Sequence, residues 1–228
     1  VLALILVLPW EENYGEKDND GDRSLYYQFT EGWRATLSNS QIWRIGMTQA
    51  LSEGAMYTFV FMWVPTLLSI NPPGGLPTGC VFASMMMAIT IGGMLFPPLK
   101  SFISSYFAPK GKGLELCATL VYLAAFASMS IPAYILSQDD STVAGSFTLV
   151  IVAFMITECC VGFFMPVAGT LRSKYVPDSL QGAILNIFRL PLNVVVVSGT
   201  HATDVLEAPM VFSLVSACFL GAALLQST

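Results

Sequence analysis

The sequence predicts an all-α, polytopic membrane protein, and three observations carry that prediction. Charged residues make up 11% of the 228 positions and hydrophobic ones 54%, against roughly 25% charged in a soluble globular domain. Apolar runs long enough to cross a hydrocarbon core of about 30 Å, which takes roughly 20 helical residues, recur along almost the whole chain. Clusters of proline, glycine and acidic residues separate them.

Taken in order, spans are expected near 42–69, 77–104, 114–137, 146–170, 180–200 and 207–226. The breakers are Asn71 to Gly75, Pro109 to Gly113, Gln138 to Asp140, Pro177-Asp178 and the polar stretch His201 to Glu207. Residues 1–10, "VLALILVLPW", are about half a span and read as the end of a preceding transmembrane helix, so the chain is expected to be the C-terminal part of a longer protein.

Residues 11–41 form a linker on the cytoplasmic side. Its first part, "EENYGEKDNDGDRS", is polar and acidic and therefore solvated. Asp18, Asp20 and Asp22 have the opening spacing of a calcium loop, but Arg23 stands where the glycine is required and Phe29 where the closing glutamate is, which excludes that site. In "LYYQFTEGWRATL", Leu25, Phe29, Trp33 and Leu37 recur every fourth residue, as in an amphipathic helix that lies on the membrane surface or packs under the bundle. Residues 42–137 and 138–228 then give two three-helix repeats.

The orientation follows from the positive-inside rule. Lys110, Lys112, Arg172 and Lys174 fall in alternate loops from Asp139, Asp140, Asp204 and Glu207, which puts the basic loops and the C-terminus in the cytoplasm. Arg44 and Lys100 lie near helix ends, where such side chains snorkel.

The five cysteines all fall within spans, His201 stands alone, and no metal-ligand spacing, glycine-rich phosphate loop, nucleophile-and-base pair or basic nucleic-acid patch occurs. Neither an enzyme, a metal, a cofactor nor a nucleic-acid partner is expected. The lipid bilayer is the first partner.

Three ionisable residues lie far from any loop. Counted at about 1.5 Å per residue from the expected span ends, Glu53, Glu158 and Arg189 fall within roughly 5 Å of the bilayer centre, where each costs at least about 2.5–3.5 kcal/mol. Their neighbours three and four positions away extend each charge into a stripe: Gln49, Glu53 and Tyr57; Glu158, Gly162 and Pro166; Asn186, Arg189 and Asn193. Pro191 removes a backbone donor beside the arginine. The candidate partners of Arg189 are Glu158, Glu53 and an anionic substrate. Its planar fork and the two asparagine amides suit an oxyanion. An Arg–Glu pair that only pins two helices together is the structural alternative.

Six helices divide into triplets of opposite orientation, and the first helix of each carries a glutamate, in "LSEGAMYTFVFMWVP" and in "ITECCVGFFMPV". The segments "QALSEGAMYTFVFMWVPTL", "LRSKYVPDSLQGAILNIFRLPLN" and "YLAAFASMS" resemble the C-terminal half of the eukaryotic molybdate-anion transporters of the major facilitator superfamily. The resemblance implies the six-helix C-terminal half of a twelve-helix fold, a 3+3 inverted repeat, with a missing N-terminal six-helix half as partner. It implies molybdate uptake across the cell membrane by alternating access. The superfamily's basic loop motif includes an aspartate that "SYFAPKGKG" lacks.

Molybdate, a tetrahedral dianion, fits a site built from Arg189, Asn186 and Asn193, with Glu53, Tyr57, Gln49 and Glu158 as further substrate-binding or coupling residues. One arginine leaves net negative charge, so a second cation from the other half, or protonation of Glu53 or Glu158, is required. Two other readings stand beside it: a proton-coupled carrier of sugars or other small organic solutes, and a transporter-like scaffold or sensor that moves nothing.

Overall fold

The computed structural model of the chain describes residues 25–70, 74–108, 111–138, 143 and 145–227. The expected preceding helix at 1–10, most of the acidic linker, and Asp139 and Asp140 lie outside these residues. Among the described residues every regular element is helical: α1 (Leu25–Ser38), α2 (Ser40–Ser69), α3 (Thr78–Tyr106), α4 (Gly113–Ile135), α5 (Phe147–Tyr175), α6 (Gln181–Val205) and α7 (Ala208–Ser227), with a 3-10 turn at Asp178–Leu180 before α6.

Local chemistry sets the boundaries. Asn39, the single residue between α1 and α2, caps α2 by accepting from the amide of Gln41 at 2.9 Å. Gly74 and Gly75, both at positive φ, turn the chain between α2 and α3, and Gly111 does so before α4. Prolines 65, 97, 98, 132, 166 and 191 all lie inside helices, which continue past them.

Helices α3, α4, α5, α7 and the segment Asp178–Val205 are long and apolar enough to cross a membrane. α2 was expected to be a sixth span, and its 30 residues extend about 45 Å. It falls outside that group of five because Arg44, Gln49 and Glu53 dilute its apolar face. Inside the bundle it packs on α5, α6 and α7 as a full member.

The pairing of helices carries the repeat. α2 packs on α6 as α3 packs on α5, α2 on α7 as α4 on α5, and α3 on α4 as α6 on α7, while α2–α5 and α4–α7 are self-matched pairs. Exchanging the triplet α2–α4 for α5–α7 maps this set onto itself. Because each triplet holds an odd number of helices, the two run in opposite directions across the bundle, so the repeat is inverted.

Small residues allow the closest of these crossings. A methyl group on Gly92 of α3 would overlap the carbonyl oxygen of Cys159, and one on Gly162 of α5 would overlap the carbonyl oxygen of Ile89. The α2–α6 crossing repeats the device with Gly54 against Val195 and Gly199 against Thr58. In the centre, Phe154 of α5 meets Phe59 of α2 edge-on at 4.9 Å and stacks on Phe212 of α7 at 5.7 Å. Buried hydroxyls join helices as well: Ser128 to Thr157 and Ser130 to Ser216, each at 2.7 Å.

α1 packs on α6 and α2. The expected apolar stripe is not its buried face: Phe29 and Leu37 are exposed, whereas Gly32 and Thr36 are buried. Gly32 governs the contact because a residue without a side chain lets α1 reach Ala183 and Ile187 of α6. The helix packs on the bundle with Tyr27, Phe29 and Leu37 turned outward and Trp33 half-buried.

Candidate functional site

The stripe on α2 forms as its spacing predicts. Gln49 donates from Nε2 to Oε1 of Glu53 at 2.7 Å, and its own Oε1 accepts from Nη1 of Arg172 at 2.9 Å. Tyr57, the third member, is exposed. Arg172 was expected in a loop, as a topology signal. It lies instead within the last turn of α5, which runs on to Tyr175, because basic side chains at a helix end do not terminate it. A contact across 123 positions leaves no local trace in the sequence. The available hint was Gln49, an amide on the same face as a carboxylate.

The stripe on α6 forms too. Asn186, Arg189 and Asn193 are all exposed, and none has a hydrogen bond or ion pair among the described residues. The structure makes neither of the pairs considered for Arg189, with Glu158 or with Glu53. The arginine is exposed on α6, whereas Glu158 is buried within the bundle and the half-buried Glu53 is held by Gln49.

Helix packing fixes the depths. Gly46, Gly54 and Thr58 of α2 lie against Phe188, Val195 and Gly199 of α6, a nearly constant offset between two parallel helices. Arg189 therefore falls level with Thr48, beside Gln49 and about 7 Å along the axis from Glu53. Glu158 lies one turn from Phe154, whose ring meets Phe59, and Glu53 lies six positions from Phe59. The two glutamates share a level to within about one turn. The two glutamates thus lie at nearly one level, and Arg189 lies closer to the end of the bundle that carries Lys112 and Lys174.

Glu158 is 4% exposed and has no ion-pair partner among the described residues. Gly162, one turn along, admits the backbone of α3, so the space beside it holds a neighbouring helix and no ligand. At the basic end, Lys174 donates to Glu115 of α4 and to the carbonyl of Gly111 at 2.8 Å, and the Tyr175 hydroxyl donates to the same Glu115. This tie fastens the α3–α4 loop to the end of α5, in the loop that lacks the superfamily's aspartate. In the sequence Lys174 marks only the topology, and no local signal singles out Glu115.

A helix with an unpaired guanidinium between two amides, open to the side, can take an oxyanion through charge-assisted hydrogen bonds. Carboxylates inside the bundle at a common depth can take up and release protons. The inverted three-helix repeat of long apolar helices is the architecture of one half of a major facilitator fold.

The comparisons with known proteins agree. The model of a family described as sugar transporters with twelve transmembrane segments matches residues 1–163, and the chain belongs to that family. It is 30% identical to the molybdate-anion transporter of Xenopus laevis over 194 residues, 85% of this chain and 39% of that protein. It is 30% identical to the molybdate-anion transporter of Danio rerio over 174 residues, 75% of this chain and 33% of that protein. The resemblance read from the three sequence segments is borne out by these matches. The chain spans between a third and two fifths of the length of these relatives. No solved structure matches it.

Proposed function

We propose that the chain is the C-terminal half of a twelve-helix carrier that moves molybdate across the cell membrane by alternating access, with its basic end and C-terminus in the cytoplasm. The observation that carries this reading is Arg189, exposed on a membrane helix between Asn186 and Asn193 and without a partner among the described residues. A permanent charge at such a place is costly unless a ligand or an aqueous cavity receives it. The names of the relatives supply the anion, and a tetrahedral dianion suits a planar fork flanked by amide donors.

In this account Arg189 binds the oxyanion, Asn186 and Asn193 donate to its remaining oxygens, and Tyr57, exposed on α2, is a further contact to it. Glu53, held by Gln49, and the buried Glu158 are the coupling carboxylates. The six-helix N-terminal half closes the cavity, since rocking of one half against the other requires both.

The family description favours a second reading, a carrier of sugars or similar neutral solutes in which the arginine serves coupling alone. Uptake of labelled molybdate by cells expressing the complete protein, with tungstate, sulfate and a hexose as competitors, separates the two. Molybdate uptake reduced by tungstate and untouched by hexose is the expected result. Hexose uptake with no molybdate uptake would replace this reading by the second.

A further inference from the structure

A dianion at Arg189 meets one fixed positive charge and needs another. Two arginines, one on each neighbouring helix, fall at one level of α2. Arg189 lies level with Thr48, and Arg172 bonds to Gln49, the next residue, from the neighbouring helix α5. α5 runs toward the basic end, so its side chains lean back into the bundle. Arg172 follows that lean and reaches Gln49, whereas an arginine this close to a helix end usually extends outward to water.

Its restraint is slight. Gln49 takes one of the five guanidinium donors, and no described carboxylate lies within ion-pair distance of Arg172. The amide stands between opposite charges, its oxygen toward the guanidinium and its nitrogen toward Glu53. Only that orientation satisfies both bonds. Arg172 is thus parked on a neutral acceptor near the arginine already assigned to the anion, with most of its donors unused.

We propose that Arg172 is the second cationic contact for the oxyanion, held by Gln49 when the site is empty and handed to the anion when it arrives. The proposal rests on the reading of the chain as half of an oxyanion carrier. It makes Gln49 a positioning residue, one that acts through Arg172, and it accounts for charge balance within this chain.

The test is molybdate transport by the complete protein in proteoliposomes, with KM and maximal rate measured separately for wild type, Arg172→Gln, Arg172→Lys and Gln49→Leu. Arg172→Gln is expected to raise KM about tenfold or more with a smaller change in maximal rate, and Arg172→Lys to fall between it and wild type. Gln49→Leu, which removes the holder and keeps both charges, is expected to lower KM a few-fold. A merely structural contact would lower the yield or the rate of Arg172→Gln and Gln49→Leu alike and leave KM in place, and that outcome overturns the proposal. If Arg172→Gln does not fold, the Arg172→Lys and Gln49→Leu pair decides it by the same opposite shifts. Wild-type protein that transports no molybdate overturns the underlying reading and this proposal together; wild-type transport with KM unmoved in the variants overturns this proposal alone.

Discussion

Replacing single glycines by alanine tests the bundle at its closest crossing. A methyl group at Gly162 would overlap the Ile89 carbonyl oxygen and crowd the Gly93 amide of α3. Both obstacles are backbone, so no rotamer change relieves them and α3 must move away from α5. Overpacking of this kind costs about 1–3 kcal/mol. Gly169, two turns along the same helix, has nothing within 4 Å of the added carbon, and there alanine gains roughly 0.5–1 kcal/mol of helix propensity. The two variants should therefore differ by about 1.5–4 kcal/mol, or on the order of 3–16 °C in melting temperature for a chain of this size. Cys117 and Cys160 are buried and free, so a thiol-reactive dye reports the melt of the detergent-solubilised protein. Gly162→Ala melting with or above Gly169→Ala would mean that α3 and α5 are not in backbone contact, and the inverted pairing of helices would fall with that contact.

Three further outcomes follow from the same contacts. Glu158→Gln replaces a buried carboxyl that has no described partner by an amide that never has to be charged, and should raise stability by about 1–2 kcal/mol while reducing transport; a lower melting temperature would reveal a cation that holds Glu158 ionised. Ser130→Ala deletes the hydroxyl that bridges α4 to Ser216 of α7 and should cost about 0.6–1.7 kcal/mol in a thermal melt, with no cost at all counting against that bridge. Lys174→Met frees the α3–α4 loop from α5, and because the lysine is 38% exposed the loss should stay near or below about 1 kcal/mol. Its sharper signature is faster proteolysis between Phe107 and Gly113, and an unchanged cleavage rate would show that the loop is held by other contacts.

How far the sequence reaches differs from element to element. Every bundle helix was legible because long apolar runs and proline or glycine clusters are local signals, and the boundaries agree to within two residues except at the ends of α5 and α6, which run five residues further. The end of α5 was not, since Arg172 and Lys174 look like loop residues until their partners, Gln49 on one side and Glu115 and Gly111 on the other, are in place. α1 was legible as a helix, but its buried face was set by Gly32, a residue without a side chain to mark it. The stripes on α2 and α6 follow from helical spacing and were readable. Their depths were not, because counting from span ends ignores how far each helix slides past its neighbour. That sliding places Arg189 beside Gln49 and away from the glutamates.

The proposed contact of Arg189 with the transported anion is tested by labelled molybdate uptake in cells expressing the complete protein and its Arg189→Gln variant at matched surface levels. Tungstate-sensitive uptake by the wild type and its loss in the variant are expected. Normal uptake by Arg189→Gln would contradict the site, and wild-type uptake no higher than in cells without the protein would contradict the function.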